Sequence, residues 1–189
     1  MRSVGGGWGA LLSLVAAVAL PACSGENLGG GGSQAGTGGA GTRGAFTPAV
    51  EPAAPCALLS LADVQTILPA AGAGVPQPSS TSTEGWGMEC DWKVTALGGP
   101  GVSLVVVGVV NSDGISDLDR GLQSVAYDGA SSMAVSGLGD AAEYTDSTNF
   151  QILAARTGAY LLQVTVDFVT PDVTAAQLRP LVAKVLGEL

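Results

Sequence analysis

Tyr160-Leu161-Leu162-Gln163-Val164-Thr165-Val166-Asp167-Phe168 decides the fold class. Leu162, Val164, Val166 and Phe168 fall on one side of an extended chain, and Gln163, Thr165 and Asp167 on the other. Side chains of a strand alternate between faces, so this is a strand with one buried and one wet face, as antiparallel sheets allow. Thr157-Gly158 just upstream reverses the chain, which makes residues 150–156 its hairpin partner. Asp146-Ser147-Thr148-Asn149 is the turn into that partner from a strand over 141–145, and 133–136 reads as a further short strand.

Further upstream, residues 102–110 are almost continuously apolar and β-branched, the pattern of a central strand buried on both faces. Residues 89–94 predict a strand carrying Cys90 and Trp92 inward. Helical segments frame the strands. Ser60 caps a helix with Asp63 in its first turn, and Leu61, Val64 and Leu68 share a face; Pro69 and the Ala-Gly run to Gly74 end it. A second helix is predicted over 115–125, with Leu118, Leu122 and Val125 inward, followed by a turn at Asp128-Gly129. The last helix opens on the capping box Thr174-Ala175-Ala176-Gln177, and Leu178, Leu181, Val182, Val185, Leu186 and Leu189 share its face. Pro180 should kink this helix or split off its first turn. The sum is α+β: an antiparallel sheet covered by helices.

The domain occupies residues 55–189, and what precedes it is of another kind. Residues 8–20 form a short apolar run behind Arg2 and end in Leu20-Pro21-Ala22-Cys23, the shape of a bacterial lipoprotein signal. On that reading residues 1–22 are the signal peptide and Cys23 is the lipidated first residue of the mature chain. The alternative is an ordinary secretory signal cut after Ala22. Residues 25–44 are nearly all Gly, Ser, Ala, Thr, Asn and Gln, with too little to bury to repay the entropy of folding. Residues 23–54 are therefore expected to be the lipidated N-terminus and a flexible tether that gives the domain reach from a bilayer.

Charge and cysteines agree with export. The chain carries −9, and loss of Arg2 with the signal leaves six basic against sixteen acidic residues. Such a domain has nothing to offer a phosphate backbone, so nucleic acid is excluded as a partner, and a flat anionic membrane surface is disfavoured. Apart from Cys23 there are two cysteines, Cys56 and Cys90. An even pair in an exported domain reads as a disulfide, here closing a loop of about 34 residues. A two-thiolate metal site is the alternative, but the chain has no histidine to complete it.

The order of the motifs carries a resemblance. Cys56-Ala57-Leu58-Leu59-Ser60-Leu61-Ala62-Asp63-Val64, then Cys90-Asp91-Trp92, then Val135-Ser136-Gly137-Leu138-Gly139-Asp140-Ala141-Ala142, behind a lipobox, resemble the actinobacterial lipoproteins of domain of unknown function 3558. The resemblance spans residues 55–189. It implies a PsbP-like fold, a sheet sandwiched by helices, and a place in the cell envelope. It implies no activity.

The candidate sites are few. Without histidine there is no Ser-His-Asp or Cys-His machinery and no HExxH zinc site, and Lys93 and Lys184 are the only lysines available to activate a serine. Lys184 is expected to point to water. Glu84, Glu89 and Asp91 surround Trp86 and Trp92, as in sites that bind or cleave sugars, but alternation makes Glu89 and Asp91 the wet face of a strand. Trp86, between Gly85 and Gly87 beside a Ser/Thr-rich stretch, is expected to be partly exposed and is the candidate ligand-binding residue; the alternative tucks it over the core edge. Asp113, Asp117 and Asp119 do not meet the order of a calcium loop and are explained by a helix first turn capped by Ser116. Gly137-Leu138-Gly139-Asp140 reads as a tight turn rather than a phosphate cradle. No metal or organic cofactor is called for. The leading expectation is a binding module, anchored to the membrane through its N-terminal lipid, for a lipid or other apolar envelope molecule or for an envelope protein. A carboxylate-based hydrolase using Glu84, Glu89 or Asp91 is the second, and a structural accessory lipoprotein the third.

Overall fold

The computed structural model describes residues 46–189, apart from residues 53, 96–98 and 125–129. Cys23, the signal, most of the tether, Val125 and the Asp128-Gly129 turn lie outside the described residues. No helix among the described residues is long and apolar enough to cross a membrane.

The chain folds in the order α1 (Leu61–Gln65), β1 (Val75–Thr81), β2 (Gly85–Lys93), β3 (Gly101–Val109), α2 (Ile115–Gln123), β4 (Ser131–Ala134), β5 (Ala141–Asp146), β6 (Phe150–Thr157), β7 (Tyr160–Asp167) and α3 (Ala175–Glu188). All seven strands join one antiparallel sheet in the order β1-β2-β3-β7-β6-β5-β4. Two meanders meet where β3 pairs with β7, and the segment carrying α2 takes the chain to the far edge.

Register sorts the side chains. Trp86, Cys90 and Trp92 of β2 share a face with Leu104, Val106 and Gly108 of β3 and with Tyr160, Leu162, Val164 and Val166 of β7. This inner face holds the core, closed by α3 and by the 3-10 turn Pro55–Ala57, with Val64 of α1 buried in the same cluster. Removing Val164, Val166, Leu162 and Leu104 from water is the main driving force for the fold. The short α1 is held by its capping box, with Ser60 accepting from the Asp63 N–H, and by the Cys56–Cys90 disulfide, Cα atoms 5.3 Å apart, which ties the preceding 3-10 turn to β2. Lys184 of α3 donates to Asp63 at 2.5 Å and joins the two helices. The outer face carries Gly85, Gly87, Glu89, Asp91, Val107, Leu161 and Gln163, and α2 covers one end of it: Gly121 packs on Leu161, and Asp119 pairs with Arg156.

Several expectations change. Residues 75–81, to which the sequence reading assigned no element, form β1; Pro76 and Pro78 are tolerated because this is an edge strand. β3 is not buried on both faces, since Ser103, Val105 and Val107 are half-buried on the outer one. Phe168 does not continue the alternation: β7 ends at Asp167, and Phe168 turns into the left-handed region (φ 53°) and is 61% exposed. Leu61 is exposed rather than inward. Pro180 does not split α3, which runs as one helix. The ordered domain also begins before residue 55. Residues 46–50 lie along the sheet end, where the Ala49 N–H donates to Val109 O at 2.9 Å and the Val50 N–H to the Tyr160 hydroxyl at 2.8 Å.

Candidate functional site

Trp86 is not a surface contact. It is 7% exposed, and its ring lies on the inner face over Gly108, edge-on to Tyr160 with ring centroids 6.1 Å apart. Gly85 and Gly87, which suggested a partly exposed position, both belong to β2 and leave the indole to pack inward. Ala49 closes over it, and the indole Nε1 is buried without a hydrogen-bond partner.

The flanking glycines matter on the other face. Gly85 and Gly87 line an open groove of about 320 Å³ with Val107 and Val109 of β3, Leu161 of β7, and Leu118 and Gly121 of α2. A Cβ on Gly87 would stand 2.9 Å from Ser80 Oγ and 3.8 Å from Val107 Cγ2, inside this space. Exposed Ser80, Thr81, Ser82 and Glu84 form its rim, with Asp117 across from them. Trp86 also borders this groove, although its side chain packs on the opposite face.

Farther along the outer face lies an acidic group. Glu89 and Asp91 project there as alternation requires, but Asp91 is only 8% exposed rather than wet. Its Oδ2 accepts from Gln77 Nε2 at 2.9 Å and pairs with Lys93 Nζ at 3.1 Å. Asp167 enters the group because its partner in the ladder, Gly101, is also the partner of Lys93. Burial, and then repulsion from Asp91, pushes both Glu89 and Asp167 above the usual carboxylate range. Glu84 is not part of this group; it sits at the β1–β2 turn beside the groove. Gln77, Asp91, Lys93 and Val75 line a second depression of about 440 Å³. A smaller one of about 130 Å³ contains Glu89 and shares Ser80, Gly87 and Val107 with the groove.

The other candidates resolve into structure. Asp117 pairs with Arg120 at 3.0 Å and Asp119 with Arg156 at 2.6 Å. The turn before α2 is capped by Asn111, not Ser116, and no group of metal-binding side chains occurs among the described residues. Gly137 and Gly139 have φ of 72° and 57°, as the tight turn requires; Leu138 between them is buried. Lys184 is engaged by Asp63 rather than free in water. Tyr144 donates to Val173 O at 2.6 Å, and its hydroxyl is pushed up to about 12, mainly by burial.

Sequence reasoning missed Gly87, Val107, Leu161 and Leu118 as one lining set, and Gln77 and Asp167 as neighbours of Asp91. These residues meet only through strand order and register, and the β3–β7 pairing joins segments some 60 residues apart. The chain matches no family model, no curated protein and no solved structure.

Proposed function

We propose that this domain is a binding module of the cell envelope, held to the membrane by a lipid on Cys23 and a Gly-rich tether, that takes an apolar or amphipathic molecule into the groove beside α2. The observation that carries the reading is the groove itself. At Gly87 a Cβ would enter the groove, so the sheet presents bare backbone there, and Val107, half-buried, is the apolar side chain left open to a ligand over a buried floor of Val109, Leu118 and Leu161. Apolar surface of this kind gains by covering. The motif order and the sheet with helices on both faces favour membership of the domain of unknown function 3558 lipoproteins and a PsbP-like fold.

A neutral fluorescent amine, N-phenyl-1-naphthylamine, tests the groove. It should bind with enhanced emission, and Gly87→Val should abolish the signal while circular dichroism stays unchanged. No binding, or binding indifferent to Gly87→Val, overturns the reading. The hydrolase reading keeps one supporting observation, the pair of carboxylates Glu89 and Asp167 shifted upward beside Asp91. Loss of a hydrolytic activity in Glu89→Gln, with an unchanged melting temperature, would establish it in place of the binding module.

A further inference from the structure

The outer face changes character along its strands. At the α2 end its residues are Gly85, Gly87, Val107 and Leu161. Two to six positions along β2 from Gly87 come Glu89, Asp91 and Lys93, with Asp167 in the same row as Lys93. The small depression that shares Gly87 and Val107 with the groove reaches Glu89, so the apolar and acidic ends are continuous. From Gly85 to Asp91 an extended strand covers roughly 20 Å.

We propose that the groove takes a cationic amphiphile: its hydrocarbon lies over Gly85 and Gly87 beside α2, and its positively charged head sits over Glu89, Asp91 and Asp167. This rests on the apolar-groove reading and adds the chemistry of the head. Three carboxylates face one cation, since among the described residues Lys93 is the basic group acting on all of them, and it is already paired with Asp91 at 3.1 Å. A positive head supplies the missing counter-charge. A negative head meets three carboxylates in a half-buried setting, where repulsion is weakly screened, so the site selects by sign. The upward shift of Glu89 and Asp167 has the same origin: burial and the neighbouring Asp91 both disfavour their charged forms.

The test uses the full chain with Cys23→Ser, so that no acyl group competes, and three probes of equal chain length below their micelle-forming concentrations. Decyltrimethylammonium should bind about tenfold more tightly than decyl maltoside, a difference of about 1.4 kcal/mol, and decyl sulfate should bind worst. Glu89→Gln with Asp167→Asn should bring the ammonium down to the maltoside level and leave the maltoside unchanged, whereas Gly87→Val should weaken all three. Any order in which the ammonium is not first, or a preference that survives the double variant, overturns the proposal. The apolar-groove reading then still stands if Gly87→Val abolishes binding. Failure of all three probes to bind overturns both.

Discussion

The indole of Trp86 lies directly over the α-carbon of Gly108: a Cβ built on that glycine would stand 2.3 Å from Trp86 Cζ2 and 2.7 Å from the Ala49 Cβ. Position 108 is glycine because the tryptophan occupies the space its side chain would need. Gly108→Ala should therefore destabilise the domain by about 1–3 kcal/mol through overpacking, seen as a lower denaturant midpoint. The same change should lift residues 46–50, so proteolysis near Val50 should quicken. Trp86→Ala should cost more, about 3–5 kcal/mol, since it empties a buried site. An unfolding midpoint unmoved by Trp86→Ala would show that the indole is not a core side chain.

The contrast between Trp86 and Leu162 shows what the sequence could and could not reveal. Leu162, Val164 and Val166 announced their strand because period-two alternation is local, and the capping boxes at Ser60 and Thr174 were legible for the same reason. The Cys56–Cys90 link followed from counting. Trp86 was misjudged because two glycines and nearby hydroxyls are a local signal for an exposed position, and the pairing of β2 with β3 overrode it. β1 was missed because prolines deny a central strand but not an edge one, and which strand is an edge is a property of the whole sheet. The groove is wholly non-local: Gly87, Val107 and Leu161 become neighbours only through register.

The Cys56–Cys90 disulfide anchors the segment leading into α1, a helix of five residues otherwise held by buried Val64 and by the Lys184–Asp63 pair. Shorter helices do not persist without tertiary support. Replacing both cysteines by alanine should lower stability by about 3–4 kcal/mol, the loop-closure value for a ring of this length. Chemical denaturation with and without reductant measures it, and two alkylatable thiols in protein isolated from its native cell would remove the premise.

Asp63 gives a pH dependence of known sign. The Lys184 ammonium and the Ser60 hydroxyl hold its carboxyl down to about 2. A depressed carboxyl contributes stability that is complete above its unfolded value near 3.8 and is lost as pH falls towards 2. Lys184→Met should thus be less stable than the parent at pH 6, by less than about 1 kcal/mol because the pair is partly exposed, and the two should converge near pH 2. The difference between parent and variant is the informative quantity, since Glu89 and Asp167, shifted upward, stabilise the parent and the variant alike as they protonate. Denaturant midpoints at several pH values would show it; a constant difference from pH 6 to 2 would rule out the Asp63–Lys184 pair as its source.

If Cys23 carries the lipid, Cys23→Ala should move the protein from the membrane fraction to the soluble one after fractionation of the native cell. Retention of that variant in the detergent-requiring fraction would discard the anchor and favour a different mode of attachment.

Phe168 ends the strand with which the fold was read, and it does so in an unfavourable conformation. Its φ of 53° lies in the left-handed region that a bulky side chain adopts at a cost of about 1–3 kcal/mol, and its ring recovers little of that because it is mostly exposed. The turn itself is needed: the Phe168 N–H donates to Asn149 O at 2.8 Å and closes the β6–β7 end of the sheet. Glycine reaches the same backbone angle without the Cβ clash and keeps the N–H. Phe168→Gly should therefore raise the denaturant midpoint, with a gain of up to about 1 kcal/mol after the added entropy of the unfolded chain is subtracted. Phe168→Val, β-branched and equally apolar, should lower it. A loss of stability in the glycine variant as large as in the valine one would mean that the ring, and not the backbone, is what position 168 requires.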